Sequence, residues 1–157
     1  MDKITTFLWF DGKAEEAARF YVGIFPDSRI DAITRTTVDY PGGREGNVLT
    51  VAFTLAGRSF QAMNGGPYAT FSEAISLSID CADQAEVDHY WTALSAHPDR
   101  EQCGWLKDRY GLFWQVTPRI LPELLAGPDR EKARRVMEAM MAMRKLDVAA
   151  IERAAHS

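Results

Sequence analysis

Gly57-Arg58-Ser59-Phe60-Gln61 is answered further along the chain by Gly111-Leu112-Phe113-Trp114-Gln115. Each run is a Gly-x-x-aromatic-Gln arm that opens a strand-like stretch. Upstream of each arm lies a helix pattern. Ala17, Phe20, Tyr21 and Ile24 carry the same spacing as Val87, Tyr90, Trp91 and Leu94, a shift of 70 residues. Apolar residues at these intervals mark one face of a helix. Upstream again is a strand pattern in each half. Ile4-Thr5-Thr6-Phe7-Leu8-Trp9-Phe10 is rich in β-branched and aromatic residues, and Ala74-Ile75-Ser76-Leu77-Ser78-Ile79-Asp80 alternates apolar with small polar positions. The order strand, helix, strands ending in a glutamine arm therefore occurs twice, which reads as an internal duplication.

Between these landmarks the first half predicts further strands near 29–38, 48–56 and 59–63, with a turn at Tyr40-Pro41-Gly42-Gly43. In the second half, Asp83 followed by Glu86 resembles a capping box at the start of the helix. The expected architecture is α+β: two tandem βαβββ modules forming a curved mixed sheet around a cavity, plus C-terminal helices. Module one covers about 3–66 and module two about 72–117, within a single domain spanning 1–157. From Pro118 the pattern changes. A helical extension of about 118–157 is expected, with a short helical turn over Leu121–Ala126 and a longer helix over Glu131–Leu146. Asp147 is expected to cap a last segment. The long helix carries Val136, Met137, Met140, Met141 and Met143, a face that either packs on the body or, because Met adapts its shape, meets a partner.

Bulk properties exclude several functions. The 157 residues are 46% hydrophobic and carry a net charge of -4, with no cationic run beyond Arg134-Arg135. Nucleic-acid binding needs a clustered basic face, so no nucleic-acid partner is expected. No apolar stretch approaches the roughly 18 residues of a membrane span. The N-terminus enters a strand pattern with no signal or transit character. Two cysteines, Cys81 and Cys103, require no disulfide, and a cytoplasmic location is the expectation.

Four stretches narrow the class: Ile4 to Asp11, Asn64-Gly65-Gly66-Pro67, Glu73-Ala74-Ile75-Ser76, and Cys103-Gly104-Trp105-Leu106-Lys107-Asp108 with the following Gly111-Leu112-Phe113-Trp114-Gln115-Val116. Together they resemble the PhnB-like subfamily of the vicinal oxygen chelate (glyoxalase, bleomycin-resistance, dioxygenase) superfamily. Its members are labelled 3-demethylubiquinone-9 3-methyltransferase-like. The resemblance runs from about residue 3 to about residue 154. It implies paired modules around a cavity and a homodimer.

Metal-dependent members of that superfamily hold a divalent ion with ligands on the first and last strands of each module, and the ion acts as a Lewis acid. The matching positions here fall at Thr5–Thr6, near Ala74, and at Gln61 and Gln115. None offers an imidazole or a carboxylate, and neutral amides and hydroxyls bind such ions weakly by comparison. His89, His97 and His156 suggest no cluster. No metal ligands are therefore expected. A Rossmann-type cofactor site would need a glycine turn opening a helix. Neither Gly42-Gly43 nor Gly65-Gly66 does so, and no cofactor is expected.

The candidate ligand-binding residues are Trp9, Gln61, Asn64, Ser76, Trp105 and Gln115. Flat aromatic walls suit a planar organic molecule, and amides and hydroxyls can orient it. For Asn64 the alternative is a turn-shaping role, and for the glutamines mutual or water-mediated satisfaction. Glu73 is the best-placed carboxylate for general-base work. Cys103 lacks a histidine neighbour in sequence and is not read as a nucleophile. Three readings follow. The first is metal-free binding of a small planar molecule in a dimeric cavity. The second is an enzyme on the same fold, of methyltransferase-like, lyase or dioxygenase type. The third is an interaction module using the Met-rich helices.

Overall fold

The computed structural model describes residues 2–157. These fall into two compact units, the first running to Thr70 and the second from Phe71 to Ser157. The first unit contains β1 (Thr6–Phe10), α1 (Ala14–Val22), β2 (Arg29–Arg35), β3 (Val48–Leu55) and β4 (Arg58–Asn64). Its sheet has the order β1-β4-β3-β2, with β1 and β4 parallel and the other neighbours antiparallel. This is the βαβββ module expected from the sequence.

Strand periodicity divides that sheet into two faces. Leu8, Phe10, Val51, Phe53, Leu55, Phe60 and Ala62 alternate inward and are buried, as are Ala14, Ala17, Ala18 and Tyr21 of α1. The small alanines let α1 lie close on β3 and β4. Phe7, Trp9, Gln61 and Met63 occupy the opposite face, with Phe7 paired to Gln61 and Trp9 to Met63. Asn64 joins strand to helix. Its Oδ1 accepts from Ala14 N at 2.9 Å and its Nδ2 donates to Val48 O at 3.0 Å. The orphan N–H of Ala14, the first residue of α1, thus finds a partner from the sheet.

The second unit contains β5 (Leu77–Cys81), α2 (Gln84–Leu94), a 3-10 turn at Pro98–Arg100, β6 (Trp105–Lys107) and β7 (Phe113–Pro118). Its sheet has three strands in the order β5-β7-β6. The sequence predicted βαβββ again, and this module is one strand short among the described residues. Where the first unit has β2, the second spends its shorter chain on the turn around Pro98. Proline fixes φ and lacks the N–H a ladder needs. The strands form two sheets, each mixed within its own unit. β5 also starts later than the predicted strand at Ala74, because Glu73–Ile75 form an exposed turn.

Asp83 caps α2 by accepting from Glu86 N, and Glu86 returns a carboxylate oxygen to Ala82 N. Three helices follow: α3 (Ile120–Ala126), α4 (Arg130–Met141) and α5 (Val148–Ala155). Asp147 caps α5 through Ala150 N, as expected. α4 stops at Met141, five residues before the predicted end at Leu146. The segment beyond it is held by long-range bonds: Cys103 N donates to Met143 O, Gly104 N to Arg144 O, and Gln84 Nε2 to Leu146 O. Leu146 is fully buried with Leu121, Val136, Ile151 and Ala155, and Met140 and Met143 pack against this cluster. Met137 and Met141 remain exposed. No helix among the described residues is long and apolar enough to cross a membrane.

Candidate functional site

The parallel pairs place the two glutamines equivalently. Gln61 pairs with Phe7, the second residue of β1, and Gln115 pairs with Ser78, the second residue of β5. The same register sets the first-strand positions. Thr5–Thr6 match Ser76–Leu77, not the neighbourhood of Ala74, which lies in the turn outside the strand. Leucine offers no donor atom, and the Ser76 hydroxyl is a neutral, weak one that already accepts from Gln115. Thr6 Oγ1 is engaged by the Arg58 guanidinium at 3.1 Å. A hydroxyl, a leucine and two neutral amides do not fit a divalent ion. Among the described residues no three His, Cys, Asp or Glu side chains gather where they could hold one. The methyltransferase-like label that the sequence resemblance carries would call for S-adenosylmethionine, and the glycine pairs do not fit that use. A Cβ on Gly65 would lie 2.3 Å from the Trp9 ring, and one on Gly42 would lie 2.6 Å from Asn64 O. Both glycines are accounted for by close packing inside the first unit.

In the second unit, alternation along the strands builds two faces. Leu106, Trp114, Val116, Ile79 and Cys81 are buried on the side of α2, whose Val87, Tyr90 and Leu94 are buried too. Burial keeps the Cys81 thiol protonated, pushing its pKa up to about 12, with Glu86 and Asp80 adding to the effect. The opposite face carries Trp105, Lys107, Phe113, Gln115 and Ser78. Trp105 is paired with Gln115, and Lys107 with Phe113. Gln115 Nε2 donates to Ser76 Oγ at 3.0 Å, which orients the amide. Gln61 makes no side-chain hydrogen bond within its unit, and its residue is only half-buried.

The remaining candidates divide. Trp9 is half-buried and its Nε1 donates to Gly66 O at 2.8 Å, so the indole is pinned by the glycine turn beneath it. The Asn64 amide is committed at both ends to the framework. Glu73 is exposed and forms an ion pair with Arg100. Trp105, Ser76 and Gln115 come together on one sheet face. Trp114, also a strand tryptophan, is 3% exposed and belongs to the core.

Asp108 is the residue that motif reading passed over. It is fully buried. Its Oδ1 accepts from Tyr110 N and Leu112 N, and its Oδ2 accepts from Trp114 Nε1 at 2.8 Å. It thereby fixes the turn that feeds Phe113 and Gln115 into the sheet. The available signal was an Asp placed three residues before a turn glycine and six before a tryptophan.

Comparison with known proteins agrees with this geometry. Residues 2–117 match the family model of 3-demethylubiquinone-9 3-methyltransferase. The PhnB protein from Bacillus cereus shares 38% identity, over 74% of this chain and 99% of that one, with a TM-score of 0.63. Protein PA1353 from Pseudomonas aeruginosa is 19% identical over 73% of this chain and 95% of that one, with a TM-score of 0.55, a likeness of fold. A glyoxylase/bleomycin resistance protein/dioxygenase domain from Frankia sp. EAN1pec is 13% identical over 73% of this chain and 89% of that one, with a TM-score of 0.44, too loose a likeness to build on. No curated protein matches. The sequence resemblance was read to about residue 154, whereas the family match stops at Thr117, leaving α3, α4 and α5 outside it.

Proposed function

We infer that this chain, which belongs to the 3-demethylubiquinone-9 3-methyltransferase family of PhnB-like proteins, binds a small planar organic molecule without a metal or cofactor. The observation that carries this reading is the face of the second sheet where Trp105 and Gln115 stand side by side, the amide steadied by Ser76. An indole offers a flat apolar surface, and an amide beside it both donates and accepts. That is the usual make-up of a small-molecule site: mostly apolar wall, few placed polar groups. The equivalent strand position in the first unit repeats the theme with Gln61, Phe7 and Trp9. Gln61 and Trp9 are therefore proposed as ligand contacts of the first unit's own sheet face. Asn64 is assigned a framework role within the first unit, and Glu73 acts as an ion-pair partner rather than as the base. We further propose a cytoplasmic homodimer as the working form.

Methyl transfer, the reaction named by the family description, is the competing reading. The test separates them. The chain is purified without chelators, its metal content is measured, and melting is followed with manganese, zinc, S-adenosylmethionine and naphthamide. A ligand that binds only the folded state adds about 2.7 kcal/mol at a hundred times its Kd. The expected outcome is a raised Tm with naphthamide and none with the other three. Stoichiometric metal, or a rise with S-adenosylmethionine alone, would overturn the proposal.

A further inference from the structure

A cleft of about 510 Å³ in the second unit is lined by Phe71, Ser72, Glu73, Ala74, Arg100, Lys107 and Phe113. Two cations converge on its aromatic floor. The Arg100 guanidinium carbon lies 5.3 Å from the centre of the Phe113 ring, and Lys107 Nζ lies 5.8 Å from it. Glu73 is the one carboxylate on the lining, and it is paired with Arg100. Lys107 has no carboxylate within salt-bridge reach among the described residues. The cleft therefore carries a cation without a counter-charge.

Lys107 also belongs to the sheet face that holds Trp105 and Gln115. Trp105 and Lys107 are two residues apart on β6, so both side chains leave the same face about 7 Å apart along the strand. Phe113 is the cross-strand neighbour of Lys107, as Gln115 is of Trp105. Directly opposed side chains on one face sit about 5 Å apart. The four residues make a small rectangle: indole and amide at one end, ammonium on a phenyl ring at the other.

We propose that this cleft is an anion subsite, and that the ligand is a planar aromatic molecule bearing a carboxylate. The proposal rests on the preceding reading that a planar molecule lies on Trp105 and Gln115. The ring stacks on Trp105 and takes hydrogen bonds from Gln115. The carboxylate meets the Lys107 ammonium, which itself lies over the buried Phe113 ring. A second anionic oxygen can draw on Arg100, whose hold on Glu73 is a solvent-facing one: the two side chains are 38% and 63% exposed. Exposed pairs of this kind are weak and exchange readily.

The test uses the full chain and two probes of the same shape, naphthoate and its neutral amide, with affinities from calorimetry. The wild type is expected to bind naphthoate about tenfold more tightly than naphthamide, a gap equivalent to one charge-assisted contact. Lys107→Met should remove that preference by weakening naphthoate alone. Glu73→Gln, which takes away the only negative charge on the lining, should strengthen naphthoate severalfold. It should also leave naphthamide within twofold. Raising the salt concentration should narrow the preference. Equal affinities for the two probes in the wild type, unmoved by either substitution, would overturn the anion subsite while leaving the planar-ligand reading intact. Binding of neither probe would overturn both.

Discussion

Asp108 is a carboxylate with no exposure, surrounded by three N–H donors. Removing it strands those donors in the interior, and an unsatisfied buried group costs far more than a surface bond gains. Asp108→Ala is therefore expected to lower unfolding stability by about 3 kcal/mol, read from urea denaturation. Asp108→Asn should cost less, because one amide oxygen still accepts. Cys81 gives a pH prediction. The folded thiol stays protonated up to about pH 12, while in the unfolded chain it ionises near the ordinary thiol value of 9.0. Above the unfolded value, the unfolded state releases a proton that the folded state keeps, so unfolding becomes easier. The Cys81 contribution is fully present below pH 9 and is lost as pH rises from there toward 12. Urea midpoints should fall across that window and fall less in Cys81→Ala. Cys81 should also resist alkylation until the chain is unfolded.

At the scale of elements, one side chain of α2 bonds the C-terminal extension at two points. Gln84 Nε2 donates to Leu146 O and to Asp88 Oδ1, and Gln84 Oε1 accepts from Val148 N. Lys145 adds an ion pair to Asp88 and holds its carboxyl below the usual range. Gln84→Ala is expected to cost about 2 kcal/mol. Hydrogen exchange should quicken in α5 before it quickens in β7. Gly104→Ala should be worse than an ordinary Gly→Ala change: φ is +87° there, and the added methyl would meet Leu146 Cδ1 at 2.8 Å.

The same elements show what a sequence can disclose. The glutamine arms were legible because strand register repeats locally: glycine, turn, aromatic, amide. Helix caps at Asp83 and Asp147 were legible because capping is a local hydrogen bond. The end of α4 was not, since Met143, Arg144 and Leu146 give their carbonyls to Cys103, Gly104 and Gln84, partners far away in the chain. The start of β5 was misread for a related reason. Ala74–Asp80 alternates well, yet Ile75 is 76% exposed and Glu73 turns out to Arg100. Periodicity does not see an ion pair across 27 residues. Among the candidate residues, a shared strand face is legible from spacing and a framework bond is not. Trp105, Ser76 and Gln115 share a face, while Asn64 is held by framework bonds that no spacing announces.

For the whole molecule, the account is of a PhnB-like α+β chain whose sheets present neutral side chains where metal-dependent relatives of the wider superfamily would present ligands. Three helices lie beyond the family match and close over the second unit's own core. Of their methionines, Met140 and Met143 serve that core. Met137 and Met141, 43% and 56% exposed, do not. If the proposed dimer uses another surface, Met137→Lys with Met141→Lys should leave the sedimentation coefficient unchanged. Loss of the dimer in that variant would place those helices in the interface.

The proposed planar-ligand site has Trp105 and Gln115 as its floor. Nitrogen-labelled protein has four indole N–H groups, those of Trp9, Trp91, Trp105 and Trp114. Substitution of Trp105 by Phe identifies its resonance. Titration with naphthamide is predicted to move the Trp105 indole signal and the Gln115 side-chain amide signals in step, leaving the Trp114 indole, bonded to Asp108, in place. A titration in which the probe binds and the Trp105 signal stays still would contradict the account.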